Sequence, residues 1–340
     1  MKKITVLAAA AAMLAFAACN KEENSNLVAD ENGMVTFTVT GEQFQNDSKQ
    51  SFHGLYNRIQ FDAGDEAYAN GQLVAMTPVV EGEGGILEEA IMGSFYAQFN
   101  LAGEYIGENG VDIYYPASAY SADGTVTMRN HIQLAPKSST GAMPLYTNYQ
   151  AWPMSAHTNN GTFTMYNNIA VLAPMVKYGP NFLSALGRPT TTELYVSNIV
   201  LSSSDQKLTG TGHIEGMNTT APYLVMDETV NGTDKLFIDQ LTEDDDASIQ
   251  VGMTNDFQLL GDVYVAPMAA GKHLQMTVYF MLLDGANITY GKYVGNEVTL
   301  TDTPNNGSIL RSMRTHLTIN MSDENAAQRV QLQDTPFTIE

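Results

Sequence analysis

Met34-Val35-Thr36-Phe37-Thr38-Val39-Thr40 alternates apolar and polar residues without a break. An extended backbone sends successive side chains to opposite faces, so Val35, Phe37 and Val39 share one face and the threonines the other. The pattern predicts a strand with one buried side. Working outward, short runs rich in Val, Ile, Thr, Tyr and Phe recur at 73–76, 94–101, 111–115, 125–128, 162–166 and 169–172. They continue at 193–201, 209–214, 235–238, 262–265, 275–282, 287–294 and 317–321, and 336–340 reads as a terminal strand. Gly, Asn, Asp and Pro separate the runs, as turns require. Only 181–186 suggests a turn of helix. Many short strands between turn signals predict an all-β fold built of β-sandwiches. Leu186-Gly187-Arg188-Pro189-Thr190-Thr191-Thr192 lacks apolar periodicity and reads as a linker. The expected division is an N-terminal sandwich over 34–187 and a C-terminal one over 188–340. No repeat of fixed period is present, which argues against a propeller or solenoid.

The first residues read as a targeting segment. Met1-Lys2-Lys3 is a short positive region, and 4–18 is apolar except for Thr5. A bilayer span needs about 20 apolar residues, so this stretch matches the shorter core of a secretory signal. Ala17 and Ala18 stand just before Cys19. That order resembles the lipobox cut by the lipoprotein signal peptidase, with Phe16 where Leu is usual and Leu14 close by. Residues 1–18 are thus expected to be a signal peptide, and Cys19 the thiol that receives diacylglycerol. An ordinary signal cleaved near Ala18 is the other reading. Cys19 is the only cysteine, and a lone thiol in an exported chain calls for such an explanation. Residues 19–33 would then be a lipidated tether. Each buried acyl methylene contributes about 0.8 kcal/mol, so palmitate-type chains would hold the protein on the outer membrane. Cys19-Asn20-Lys21-Glu22-Glu23-Asn24 resembles the surface-export signal of some Gram-negative lipoproteins, and also reads as a plain hydrophilic tether.

Composition narrows the function classes. The formal charge is −21, and removal of Lys2 and Lys3 makes the chain more acidic. Such a surface repels nucleic acid and anionic headgroups. With one cysteine there is no disulfide, so the fold rests on its core and on backbone pairing. His53, His131, His157, His213, His273 and His316 are too far apart in sequence for a short zinc pair. There is no Gly-x-Ser-x-Gly elbow and no Gly-rich phosphate loop. A glycosidase carboxylate pair meets only in the fold and is not legible in sequence. No enzyme, cofactor or metal is expected. Glu243-Asp244-Asp245-Asp246 offers hard oxygen ligands for calcium, but it lacks the alternating order of a calcium loop and also reads as a solvated turn. Tyr114-Tyr115-Pro116 with Tyr120, and Trp152-Pro153, are residues that stack on sugar rings or plug a core.

Several stretches taken in order resemble a family. They are the lipobox and acidic tether, the 34–40 strand, and Asn57-Arg58-Ile59-Gln60-Phe61. Then follow Asp112-Ile113-Tyr114-Tyr115-Pro116, the Ala122-Asp123-Gly124 turn, and Phe163-Thr164-Met165-Tyr166-Asn167-Asn168-Ile169. Leu194-Tyr195-Val196-Ser197-Asn198-Ile199 and Leu310-Arg311-Ser312-Met313-Arg314 complete the series. Together they resemble the fimbrillins, the type V pilins of Gram-negative gut and oral bacteria, and their minor-subunit relatives.

The resemblance implies two tandem transthyretin-like Greek-key sandwiches. It implies a structural subunit of a cell-surface fimbria that travels as a lipoprotein and contributes to adhesion. Its partners would be other fimbrial subunits, joined by strand exchange, with a host or glycan ligand as a further candidate. A protease would cut after a basic residue beyond the first strand, at Arg58 or at Lys49. The groove left by Val35, Phe37 and Val39 would then take another subunit's strand. The runs 330–332 and 337–339 alternate as a donor strand would, with Pro336 between them. The same first strand also reads as a permanent member of its sheet. A surface-exposed glycan-binding lipoprotein is the alternative function.

Overall fold

The computed structural model describes residues 27–42, 45–46, 61–79, 94, 96–129, 131–134, 153–228, 232–240, 249–253, 256–261, 263–300, 308–322 and 324–339. Among these the architecture is all-β. The α-helical pieces are Pro180–Ala185 and Glu324–Ala327.

One sheet of eight strands builds the first region. Its order is Gln72–Ala75, Glu66–Ala69, Val111–Tyr115, Met154–Thr158, Thr162–Asn167, Met34–Gly41, Tyr96–Ala102 and Thr77–Val79. Ala67 and Ala69 from one end of that order share a single core with Phe99 and Leu101 from the other. The sheet must therefore fold over on itself. Thr162–Asn167 makes the corner. Its start pairs parallel with the first strand (Thr38↔Thr162), and its end pairs antiparallel with Met154–Thr158 (Met154↔Asn167).

The second region packs two sheets face to face. One centres on Ala170–Tyr178 and Met313–Met321, which pair in parallel from Val171↔Arg314 to Tyr178↔Met321. The other centres on Glu193–Ser202 and His273–Asp284, followed by Asn287–Val294. Between them lie Leu172, Val176, Leu194, Ile199, Val278, Phe280, Ile319 and Met321. Residues 170–173 are buried without alternation because the strand lies between two cores. Ala170 and Leu172 face the sandwich, while Ile169 and Val171 face a smaller cluster with Tyr120, Val126 and Tyr264. A continuous apolar run is the sequence mark of such a two-sided strand. Phe182 and Leu183, before Gly187, share the large core with Leu194 and Val196, after it.

Two strands leave one region for the other. Val126–Met128 pairs with Gly210–Glu215, and His131–Leu134 adds in parallel to Lys235–Gln240. Just after the first strand, Gln45–Asn46 pairs with Met313–Met321.

The strongly alternating runs expected at 111–115, 193–201, 275–282 and 287–294 are strands, within a residue or two at their ends. Met154–Thr158 is a strand that the sequence did not announce, because Met154-Ser155-Ala156-His157 is poor in the residues that favour a pleated surface. The expected terminal strand is corrected. Residues 336–339 are not strand, and Phe337 and Ile339 instead pack on Val200, Phe237 and Tyr279. Pro336 cannot donate to a ladder, and the strand ends earlier, at Val330–Gln333.

Candidate functional site

The first strand, Met34–Gly41, is an interior strand of its sheet, third from one end. On one side it pairs antiparallel with Tyr96–Ala102, from Met34↔Ala102 to Thr40↔Tyr96. On the other it pairs parallel with Thr162–Asn167, from Thr38↔Thr162 to Gly41↔Met165. An initial segment has thus been laid between two strands that come much later in the chain.

The alternation read from the sequence is realised. Val35, Phe37 and Val39 are 4%, 0% and 1% exposed. Phe37 stacks on Phe99 with ring centroids 5.0 Å apart and planes 10° from parallel. Both rings meet the edge of Phe163 at 6.3 Å. Offset and edge-on pairs of this kind contribute about 0.5–1.5 kcal/mol beyond area burial. The outer face is polar. The Thr36 hydroxyl donates to Asn100 Oδ1 at 2.8 Å, and Gln98 Nε2 donates to Thr38 Oγ1 at 3.1 Å.

The strand is held at both ends. At its start Asp30 Oδ1 accepts the N–H groups of Asn32 (2.8 Å) and Met34 (2.9 Å). The Met34 N–H is the main reason the Asp30 carboxyl sits below the ordinary carboxylate range. Gly33 turns the chain with φ near 76°, a conformation easy only for a residue without a side chain, and its carbonyl accepts from the Gly103 N–H. At the far end Glu42 makes four hydrogen bonds. Its N–H donates to the Met165 carbonyl at 2.8 Å. Its Oε2 accepts from Arg311 Nη1 at 2.6 Å and from the Asn167 N–H at 3.0 Å. Its carbonyl accepts from Asn167 Nδ2 at 3.3 Å.

Val35, Phe37 and Val39 are brought together with Phe99, Phe163 and Met165 around one groove. Cys19, Lys49, Arg58, Trp152 and Glu243–Asp246 lie outside the described residues. Tyr115 is buried, meets Phe61 edge-on at 5.1 Å, and donates its hydroxyl to Asp65 Oδ2 at 2.6 Å. Burial, then the Asp65 carboxylate, push its ionisation far above the ordinary phenol range. Tyr120 is also buried and donates to Asn168 Oδ1 at 2.7 Å, while Tyr114 is half-buried against its ring. Tyr115 and Tyr120 therefore plug the core and offer no stacking platform. Among the described residues no three His, Cys, Asp or Glu side chains gather to hold a metal ion. No described helix is long and apolar enough to cross a membrane.

Glu42 and Arg311 were not singled out as a pair by the sequence, since they are separated by 269 positions. The only local signal was Arg311 in the basic turn ahead of the 317–321 run.

The class defined by this geometry is an all-β sandwich protein whose initial strand completes the interior of a later-built sheet. No family model matches the chain, and no curated protein matches it. The chain is similar to a solved structure of a proposed cell adhesion protein from Bacteroides uniformis, with 12% identity, 88% of this chain and 96% of that one covered, and a TM-score of 0.37. It is also similar to a fimbrial assembly protein from Parabacteroides distasonis (9% identity, 89% and 100% covered, TM-score 0.30). A fimbrial protein from Bacteroides ovatus is similar at 9% identity and a TM-score of 0.25, with 84% of this chain and 49% of that one covered. Each name describes that protein.

Proposed function

We propose that this protein is a structural subunit of a cell-surface fimbria, exported as a lipoprotein on Cys19 and assembled by strand exchange. The observation that carries the reading is the place of the first strand. It is interior to its sheet, paired on both sides, yet it joins the rest of the chain on its C-terminal side only through the segment before Phe61. A cut at Arg58 or Lys49 would release Val35, Phe37 and Val39 with everything before them. Two strand edges would then face each other across a gap about 10 Å wide, two strand spacings. Unpaired backbone groups and a bare apolar floor (Phe99, Phe163, Met165) make that gap a template for another extended segment. The run Phe337-Thr338-Ile339 has the same apolar-polar-apolar order as Phe37-Thr38-Val39. In the folded chain Phe337 and Ile339 rest on a small apolar patch, with Phe337 edge-on to Tyr279 at 6.0 Å.

Treatment of the full chain with a Lys- or Arg-specific protease tests the reading. The expected result is a new N-terminus at Ile59 or Gln50, loss of the N-terminal fragment, and a ladder of oligomers on mildly denaturing gels. Cut protein that loses its fragment yet stays monomeric at high concentration would rule out a shaft subunit. The burial of Tyr115 and Tyr120 counts against glycan stacking at that cluster.

A further inference from the structure

We infer that Arg311, with Asn167, is a reader for whatever strand fills the first-strand groove, and that it selects an occupant with a carboxylate at the Glu42 position. The inference rests on the strand-exchange reading above. Its basis is how the receptor is held. The Arg311 guanidinium keeps three contacts that do not involve the leaving segment. Nη1 donates to the Asn167 carbonyl at 3.1 Å, Nη2 donates to the Thr220 carbonyl at 2.9 Å, and the group lies 5.8 Å from the centre of the Tyr166 ring. Asn167 is likewise fixed, since its Nδ2 donates to Ser312 Oγ at 3.0 Å. Ser312 in turn sits in a left-handed turn (φ near 56°) with its N–H on the Ile169 carbonyl.

Removal of the first strand therefore leaves a preformed set of donors: Arg311 Nη1, the Asn167 N–H and Asn167 Nδ2. All three point at the mouth of the groove where Glu42 stood. The Arg311 and Glu42 side chains are only 17% and 20% exposed. An occupant without a carboxylate there leaves a half-buried cation without its anion, which is the costly outcome for a charged pair. An occupant with Asp or Glu three positions past its last core residue restores the pair, as Glu42 follows Val39. The apolar groove alone accepts many alternating strands, whereas this contact fixes both register and direction. A strand slipped by one residue would also turn its apolar face outward.

The test uses the full chain nicked between residues 47 and 60 and synthetic peptides copying residues 33–43. The two peptides compared are the native one and one carrying Glu42→Gln. Binding is read as displacement of the resident fragment. The native peptide should bind about ten- to a hundredfold more tightly than the Gln peptide, the scale of a hydrogen bond to a charged group. Arg311→Gln in the receptor should remove most of that difference, and Arg311→Lys should restore part of it. The two peptides on the unaltered receptor decide the matter even if an Arg311 variant fails to fold. Equal binding of the two peptides there overturns the inference and leaves strand exchange standing. A nicked chain that takes up neither peptide overturns strand exchange and the inference with it.

Discussion

The two regions of this chain solve the same packing problem with different connectivity. In the second, the neighbouring strands Glu193–Ser202 and His273–Asp284 lie mid-chain: the first pairs with later strands, the second with an earlier and a later one, and each has described chain on both sides. In the first, an interior position, third from one end of the sheet, falls to Met34–Gly41, the initial described strand. Each core is closed by a deeply buried aromatic ring, Phe280 in the one and Phe37 in the other. One cut between residues 47 and 60 separates Phe37 from its core, and no single cut does so for Phe280. The difference teaches that burial and permanence are separate properties. A side chain 0% exposed belongs here to a segment with one covalent connection to the rest of the fold.

The sharpest way to break that comparison is a matched pair of truncations. Phe37→Ala and Phe280→Ala should each cost about 3–5 kcal/mol in denaturant unfolding of the intact chain. After nicking between residues 47 and 60, only Phe37→Ala should speed loss of the N-terminal fragment. Equal acceleration by Phe280→Ala would mean that the regions do not behave separately. Next comes Gly291→Ala, which would press a methyl group into the Phe280 ring from the neighbouring strand. Overpacking of this kind should cost about 1–3 kcal/mol, with fragment release from the nicked chain unchanged. Tyr120→Phe should have a smaller effect, about 1 kcal/mol, through loss of the buried bond to Asn168 Oδ1. It lies in the cluster that joins the regions, so thermal melting should shift with little change in fragment release.

The smallest expected effect is electrostatic and confined to the first strand. The Asp30 carboxyl is held below its ordinary value of 3.8, chiefly by the Met34 N–H. A group with a lowered native pKa stabilises the fold above its unfolded value and loses that contribution as pH falls through the native one. Fragment release from the nicked chain should therefore quicken as pH drops below about 4, and Asp30→Asn should flatten that part of the profile. An unchanged profile in Asp30→Asn would show that the lead-in turn does not help to hold the strand.

Much of the fold was legible because β-structure writes a period of two into the sequence. Val35, Phe37 and Val39 could be assigned to one face from spacing alone, and the strands at 111–115 and 287–294 fall where alternation placed them. Alternation failed where the environment is two-sided or the residues are small. Residues 170–173 show no period because both faces are buried, and Glu66–Ala69 has alanines as its inward residues. Phe337-Thr338-Ile339 alternates like a strand, but Pro336 and the patch of Val200, Phe237 and Tyr279 hold it otherwise. Tyr114, Tyr115 and Tyr120 cluster in sequence as a sugar platform would, and only packing turned Tyr115 and Tyr120 inward.

The sequence by itself determined that the chain is all-β and which face of Met34–Gly41 is apolar, because side-chain direction along a strand is a local property of the backbone. Which strands flank it, and whether it lies at the edge or the centre, was decided only in the tertiary structure. Pairing there joins Thr38 to Thr162 and Phe37 to Phe99, and Glu42 meets Arg311 across 269 positions. No short-range pattern encodes such contacts, since they arise when distant strands close around one core. That closure makes the first strand a plug, and makes Arg311 and Asn167 the groups that hold its end.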